Sequence, residues 1–284
     1  MELNFVRKTN QSDINVRINN GVPYLFFQNI EKTNKVIHGF STRLGGVSKE
    51  HLKTMNLSFT RGDEEESVIE NYKRITNALG VEYESLVLSY QTHTTNIRVV
   101  TKNDRGKGII KERDYTDIDG FITNDPSVTL VTFYADCVPL YFVDPIHNAI
   151  GLSHSGWRGT VNQIGKKTLE KMHEQYGTMP EDVVAAIGPS ICLDCYEVSE
   201  DVAEEFKKNF EQKKFMDICY KKDNNKYQLD LWKANEYVLR DAGIKKENIS
   251  ISNICTCCNP ELLFSHRASK GLRGNLAAFL SLKK

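Results

Sequence analysis

The stretch TLVTFYADCVPLYFVDPIHNAIGLSHSGWRGTV, residues 129–161, decides the fold class. It contains three short apolar runs, Thr129–Tyr134, Leu140–Val143 and Ile150–Ser153. Their apolar residues run on without the strict alternation of a half-solvated strand, so these strands are expected to be covered on both faces. A helical period follows from Val161 to about Tyr176, with Thr160 as its cap and Val161, Ile164, Leu169 and Met172 facing the core. Strands covered on both sides and a helix that returns over them define an α/β or α+β domain.

Working outward, the remaining strand candidates are Leu86–Ser89, Ile97–Thr101, Val183–Ile187, Ile249–Ile254 and Leu262–Ser265. A helix is expected over Glu64–Leu79, with Asp63 as N-cap, Val68, Tyr72, Ile75 and Leu79 as its buried stripe, and Gly80 as its stop. Further helices fall near Glu200–Phe210 and Leu231–Ala242. Lys102–Asp117 is charged and poor in apolar residues, and reads as a surface loop or lid; Glu211–Lys226 is a second polar excursion. Neither resembles a linker, so the 284 residues are read as a single domain.

Lys and Arg total 37, as do Asp and Glu, so the formal charge is zero and nothing draws the whole chain to nucleic acid or to an anionic membrane. No apolar run approaches the ~18 residues of a membrane span, and Met1–Asn20 has no apolar signal core. Seven cysteines, an odd number without an export signal, point to reduced thiols in the cytoplasm.

Chemistry concentrates where predicted strands end. Gln91-Thr92-His93 follows the first, Ala135-Asp136-Cys137 the second, and His154-Ser155-Gly156-Trp157-Arg158-Gly159 the third. Loops at strand ends converge on a rigid frame, and two imidazoles with one thiolate form a three-ligand set for zinc that leaves a fourth position open. Taken singly, each is more often a hydrogen-bonded structural His or a packed Cys; it is the three together, all after strands, that point to a ligand set. A competing reading makes Cys137 a nucleophile with His154 as its base, for a cysteine hydrolase or amidase, with Asp136 or Gln91 orienting. His93 discriminates, because a thiol pair has no task for a second imidazole. A non-catalytic pocket that merely holds a small ligand or a metal is the third possibility.

The Gly156–Gly159 turn offers backbone N–H groups and the Arg158 guanidinium near a helix start, which suits a phosphate; Arg43-Leu44-Gly45-Gly46 offers the same chemistry. Both are also ordinary tight turns. Asp136, beside Cys137, is placed either to orient a ligand imidazole or move a proton, or as a structural carboxylate. Cys192-x-x-Cys195 with Cys255-x-Cys257-Cys258 supplies enough thiols for a structural zinc, but the Cys-x-Cys-Cys frame differs from common zinc ribbons, so the reading here favours thiols without a second metal.

Arg43-Leu-Gly-Gly-Val-Ser48, Asn56-Leu-Ser58, Gln91-Thr-His93, Asp119-Gly120, Ala135-Asp-Cys-Val-Pro139, His154-Ser-Gly-Trp-Arg-Gly159, Ile187-Gly-Pro-Ser-Ile191, Tyr196-Glu-Val198 and Phe264-Ser-His-Arg267 occur in the order of the YfiH/YlmD-like family. The chain resembles that family, long labelled laccase-domain or polyphenol oxidase proteins, over about residues 36–280. The resemblance implies a four-layer α/β/β/α sandwich with mixed sheets and one catalytic zinc on His93, Cys137 and His154. It also implies phosphorolysis of adenosine, inosine, guanosine and methylthioadenosine, with deamination of adenosine; purine nucleosides and phosphate would be its partners. Family members often end in a Gly-Arg motif, where this chain has Arg273-Gly274-Asn275. As for the oxidase label, the seven histidines (38, 51, 93, 147, 154, 173 and 266) contain no His-x-His pair, too few for blue-copper and trinuclear sites together. Copper could still occupy an N/S site adventitiously.

Overall fold

The computed structural model describes residues 3–9 and 13–284. Two six-stranded mixed sheets pack face to face. The first runs Ile14–Asn19, Val22–Phe27, Val36–Ser41, Leu276–Leu282, Thr129–Tyr134, Leu86–Leu88 across its width, antiparallel except for its last pair. The second runs Ile249–Ile251, Val184–Ile187, Val138–Asp144, Ala149–Ser155, Gly120–Thr123, Ile97–Val99, parallel only in its two outermost pairs.

Side-chain alternation explains why the central strands are apolar throughout. Tyr141 and Val143 face the space between the sheets, with Phe27, Phe40, Phe121 and Leu280. Leu140 and Phe142, on the opposite face of the same strand, meet Leu169, Met172 and Leu239 of the outer helices Ile164–Tyr176 and Leu231–Asp241. On the far side, Val131 and Phe279 of the first sheet pack against Val68, Tyr72, Ile75 and Leu79 of the helix Glu65–Leu79. Helix, sheet, sheet and helices make four layers in a single α/β domain. Buried hydrogen bonds join the sheets directly, from the Tyr141 hydroxyl to the Gly39 carbonyl at 3.0 Å and from the Tyr134 hydroxyl to the Ser153 carbonyl at 3.1 Å.

Several expected elements differ. Leu262–Ser265 forms no strand; its apolar residues fill the core from a turn. The expected helix from Val161 is two, Trp157–Val161 and Ile164–Tyr176, separated where Gln163 takes φ +58°. Thr160 lies inside the first, its hydroxyl donating to the Gly156 carbonyl, and is not a cap for the second. Asp63 does not cap Glu65–Leu79: Glu64 holds that position, while one Asp63 oxygen accepts from Ser48 and Asn56. The segment 102–117 is no free lid. Asp104 is buried among Arg98, Lys107 and the Thr101 amide, and the Tyr115 hydroxyl donates to Leu88 O. Within 211–226 lie a helix, Gln212–Ile218, and a strand, Cys219–Lys221, of a small third sheet.

His38 sits between the sheets, 6 % exposed, with its Nε2 accepting the Phe27 amide at 2.8 Å. Burial pushes its imidazole down to about 3. The unfolded chain, with an ordinary His near pH 6.5, therefore binds a proton between those values that the folded chain refuses, and stability must fall as pH drops through that window. His38 alone should cost about 2 kcal/mol between pH 7 and pH 5. Denaturant unfolding at the two pH values should show a shallower loss for His38→Gln than for the parent; equal losses would mean that His38 is not neutral in the folded protein.

Candidate metal centre

The chain passes from one sheet to the other at Ala135-Asp136-Cys137, between strands Thr129–Tyr134 and Val138–Asp144. Cys137 therefore lies where the layers meet. Pro139 pairs with His154 across the second sheet, which puts His154 at the same end. His93 arrives from the first sheet on the loop that follows Leu86–Leu88. One ligand atom from each of His93, Cys137 and His154 lies within 4.8 Å of the others. Cys137 Sγ is 3.9 Å from His93 Nε2, and the two imidazole rings are 4.9 Å apart at 77°. The three residues expected to form one site do meet.

Asp119 holds this geometry. Fully buried at the head of Gly120–Thr123, its carboxylate accepts the backbone amides of Thr92, His93 and Thr94 at 2.9–3.1 Å, together with the Thr94 hydroxyl. These bonds fix His93 at φ +66°, an unfavourable conformation for a residue with a Cβ. The same carboxylate takes His154 Nδ1–H at 2.8 Å, leaving Nε2 free as a ligand, the usual arrangement behind a metal-binding His. Burial raises Asp119, but His154 and the amides outweigh it and hold it low. Burial likewise pushes the Cys137 thiol up, yet the charge of His154 and hydrogen bonds from both imidazoles bring it down to about 6. His154 is held up to about 9 by the Cys137 thiolate and Asp119 against the pull of burial. A thiolate beside two imidazoles fits a single borderline cation such as zinc, and the chemistry of the donor set suits copper as well. Gly156 must be glycine here, because a Cβ would lie 2.8 Å from the His93 ring and 3.2 Å from Cys137 Sγ.

The other expected residues fall elsewhere. Asp136 orients neither imidazole; it accepts the Thr256 hydroxyl at 2.6 Å and the Arg267 amide at 2.7 Å. Arg43 spends its guanidinium on the carbonyls of Lys53, His51 and Pro260 and lies over Phe264, outside the cavity. Arg158 is exposed, 4.2 Å over the Trp157 ring, and does not line the cavity either. Gln91, offered as an orienting group for Cys137, instead bonds both the amide and the carbonyl of Phe133.

His93, Cys137 and His154 open into a cavity of about 390 Å³. Its walls include Leu57, Leu88, Tyr90 and Phe133, and its cationic side is Arg61, Arg113 and Arg273. Arg273 bonds Gly274 O and Asn275 Oδ1, but its buried Nε has no partner. Burial, then the nearby Arg61, lower its guanidinium to about 10. The departure noted at Arg273-Gly274-Asn275 marks this residue in the sequence, though nothing there says that its side chain turns into the cavity. Asp119 was legible only as half of an Asp-Gly pair.

The chain belongs to the family described as multi-copper polyphenol oxidoreductase laccase, whose model matches residues 37–283. It is 36 % identical over 262 residues to purine nucleoside phosphorylase YlmD of Bacillus subtilis (strain 168), covering 90 % of this chain and 92 % of that one. It is 34 % identical over 245 residues to a purine nucleoside phosphorylase of Bacteroides thetaiotaomicron, covering 86 % and 90 %. The crystal structure of YlmD from Geobacillus stearothermophilus superposes with a TM-score of 0.87 at 31 % identity, over 95 % of this chain and 99 % of that one.

Asp119→Asn keeps the volume but loses the charge and turns an amide group toward one of its donors. It is expected to weaken zinc binding about 10- to 100-fold, as measured by competition with a chromogenic chelator. Undiminished affinity would leave Asp119 a purely structural residue.

Proposed function

We propose that the chain is a zinc-dependent purine nucleoside phosphorylase acting on adenosine, inosine, guanosine and methylthioadenosine, and that it also deaminates adenosine. The observation that carries this reading is the juxtaposition, in one cavity, of the His93–Cys137–His154 triad and a cationic wall with an unsatisfied buried donor on Arg273. The relatives named purine nucleoside phosphorylase support it. The cavity's volume suits a small ligand, with Tyr90 and Phe133 as apolar walls for a purine and the arginines for an anion.

In phosphorolysis a phosphate oxygen bonds to ribose C1′ as the bond from C1′ to purine N9 breaks; its electron pair leaves on the purine, which then takes a proton. Arg273 and Arg61 line the cavity and would hold the phosphate, since neither forms a salt bridge among the described residues, although the charge of Asp136 reaches Arg273. In deamination water adds at C6 and ammonia leaves. Zinc on His93, Cys137 and His154 would supply Lewis acidity and activation of water. Asp119 keeps His154 in the tautomer that ligation requires. A thiol hydrolase built on Cys137 and His154 leaves His93 without a task, and copper here would be an adventitious occupant of an N/S site.

Adenosine incubated with the purified protein should release adenine only when phosphate is present, while inosine should form with or without it. Chromatography of the products decides this, and equal adenine release without phosphate would identify a hydrolase. Cys137→Ala should drop zinc content well below the expected stoichiometry of about one ion at this site and abolish both reactions. Retention of zinc and turnover would remove Cys137 from the ligand set.

Loss of a charge-assisted contact costs about 1.5–3 kcal/mol, so Arg273→Ala should raise the phosphate KM by roughly ten- to a hundredfold. Zinc content and phosphate-independent deamination should hold. Arg273→Lys should recover part of the loss, since it keeps the charge but not the fork. Arg158→Ala should leave the phosphate KM unchanged; the opposite pattern would return the anion site to the Gly156–Gly159 turn.

A further inference from the structure

The cysteines left over from the catalytic site come together. Cys192, Cys195, Cys255 and Cys258 present four sulfurs that all lie within 4.8 Å of one another. The structure thus selects a frame that the sequence reading passed over: two Cys-x-x-Cys turns, 192–195 and 255–258, with Cys257 outside the group. We propose that these four thiols bind a second, structural zinc ion, remote in role from the catalytic centre and independent of the function assigned to it.

Sulfur spacing is the first argument. Cys195 Sγ and Cys258 Sγ are 3.5 Å apart, and Cys192 Sγ and Cys258 Sγ are 4.0 Å apart. A disulfide needs about 2.05 Å. Four sulfurs at tetrahedral positions, each about 2.3 Å from one zinc, stand about 3.8 Å from each other. Iron–sulfide clusters hold their thiolates farther apart than this, so the spacing suits a single ion.

The backbone supplies the second argument. The amides of Cys192 and Cys258 point at Cys255 Sγ, at 3.2 and 3.4 Å. A neutral thiol is a weak acceptor, whereas a metal-held thiolate is a charged one that two amides stabilise. The two turns are locked side by side by a parallel bridge between Ser190 and Cys255, with Thr256 N donating to Ser190 O. Each turn closes on itself: Cys195 and Tyr196 amides donate to Cys192 O, and Asn259 Nδ2 donates to Cys255 O. A tetrathiolate zinc carries two net negative charges, and Lys8, paired with Asp194 at 2.8 Å, interacts electrostatically with Cys192 and Cys258.

The site's position gives it a purpose. Ile191 N donates to Asp136 O, the Thr256 hydroxyl to Asp136 Oδ1, and Arg267 Nη1 to Cys195 O. Asp136 holds φ +92° immediately before Cys137. An ion that ties the two turns together would therefore brace the crossover that delivers the candidate ligand Cys137. Cys192 and Cys255 are buried, while Cys195 and Cys258 are partly open, which leaves a route for the metal.

Elemental analysis of the full-length protein purified without chelator should find about two zinc ions per chain. Cys195→Ser/Cys258→Ser should lose one and keep the other, and His93→Ala/His154→Ala should also lose one. Cobalt introduced into the His variant should give the intense charge-transfer absorption of several thiolates. Should the Cys variant fail to fold, the parent decides by stepwise mercurial titration, with one zinc released as four thiols react together. The proposal is overturned if the parent's metal content is unchanged in the Cys variant, or if the titration releases no second zinc. It also fails if intact mass shows two hydrogens missing per pair of these cysteines, which marks disulfides, or if iron occupies the site. Loss of phosphorolysis with both ions retained would instead overturn the functional reading alone.

Discussion

The candidate centre depends on one buried carboxylate. Asp119 is withdrawn from solvent completely, at a cost of several kcal/mol for an unpaired ion, and it is retained because five donors meet it. Three of those donors are consecutive backbone amides, so the carboxylate works as the template around which the Thr92–Thr94 turn is wound. The other essential donor is the imidazole of His154. Position of one ligand and tautomer of another thus follow from the same two oxygens, and His93 from one sheet is tied to His154 of the other. The backbone adds to this link, since His154 N donates to Asp119 O at 2.7 Å.

That link exploits the layering. Two sheets packed through large apolar side chains can approach no closer than those side chains allow, and polar groups between them must be satisfied locally. At the crossover the chain leaves one sheet and enters the other, and the layers open into a cavity. His38, the Tyr141 hydroxyl and the Tyr134 hydroxyl all find partners inside the sandwich. Arg273 Nε does not. Among the described residues Arg98 Nε, Thr178 Oγ1 and Gln228 Oε1 are also buried without a partner, but Arg273 is the one of these four residues that lines the cavity, beside Arg61, and an unmet donor there bears on what the cavity receives.

The sequence was a good guide wherever the signal was local and a poor one wherever it depended on side-chain direction. Strands Thr129–Tyr134, Val138–Asp144 and Ala149–Ser155 were legible because both faces are apolar, and the three candidate ligands because each follows an expected strand; Ile14–Asn19, Val22–Phe27, Val36–Ser41 and Gly120–Thr123 were not legible as strands. Nor was the C-terminal strand Leu276–Leu282, although it is the middle of the first sheet; Ala277 and Ala278 carry little strand preference and make sense only against neighbours on either side. The break at Gln163 has no Gly or Pro to announce it. Arg43 and Arg158 sit in glycine-rich turns that look like anion sites, but a turn says nothing about whether its guanidinium faces a cavity, carbonyl groups or a Trp ring. The cysteines were misjudged by frame: Cys257 obscured the second Cys-x-x-Cys, and the parallel pairing of Val184–Ile187 with Ile249–Ile251, continued by the Ser190–Cys255 bridge, brings the two turns together.

Glycine and arginine at 274 and 273 connect these points. A Cβ at Gly274 would lie 2.8 Å from the Phe264 ring and 2.9 Å from Asn56 Oδ1, so the backbone must pass that place bare. Asn56 Oδ1 in turn accepts the Asn275 amide, which fixes the direction in which the chain leaves. The guanidinium on the preceding residue, Arg273, lines the cavity. Two cations held close together repel, and burial weakens the charged form of the inner one. An arrangement of that kind is stabilised by an anion between them, and the negative charge of the Cys137 thiolate is also felt by Arg273. The cavity therefore has two electrostatic ends, one able to gather a metal ion through an imidazole-flanked thiolate, the other able to gather an oxyanion.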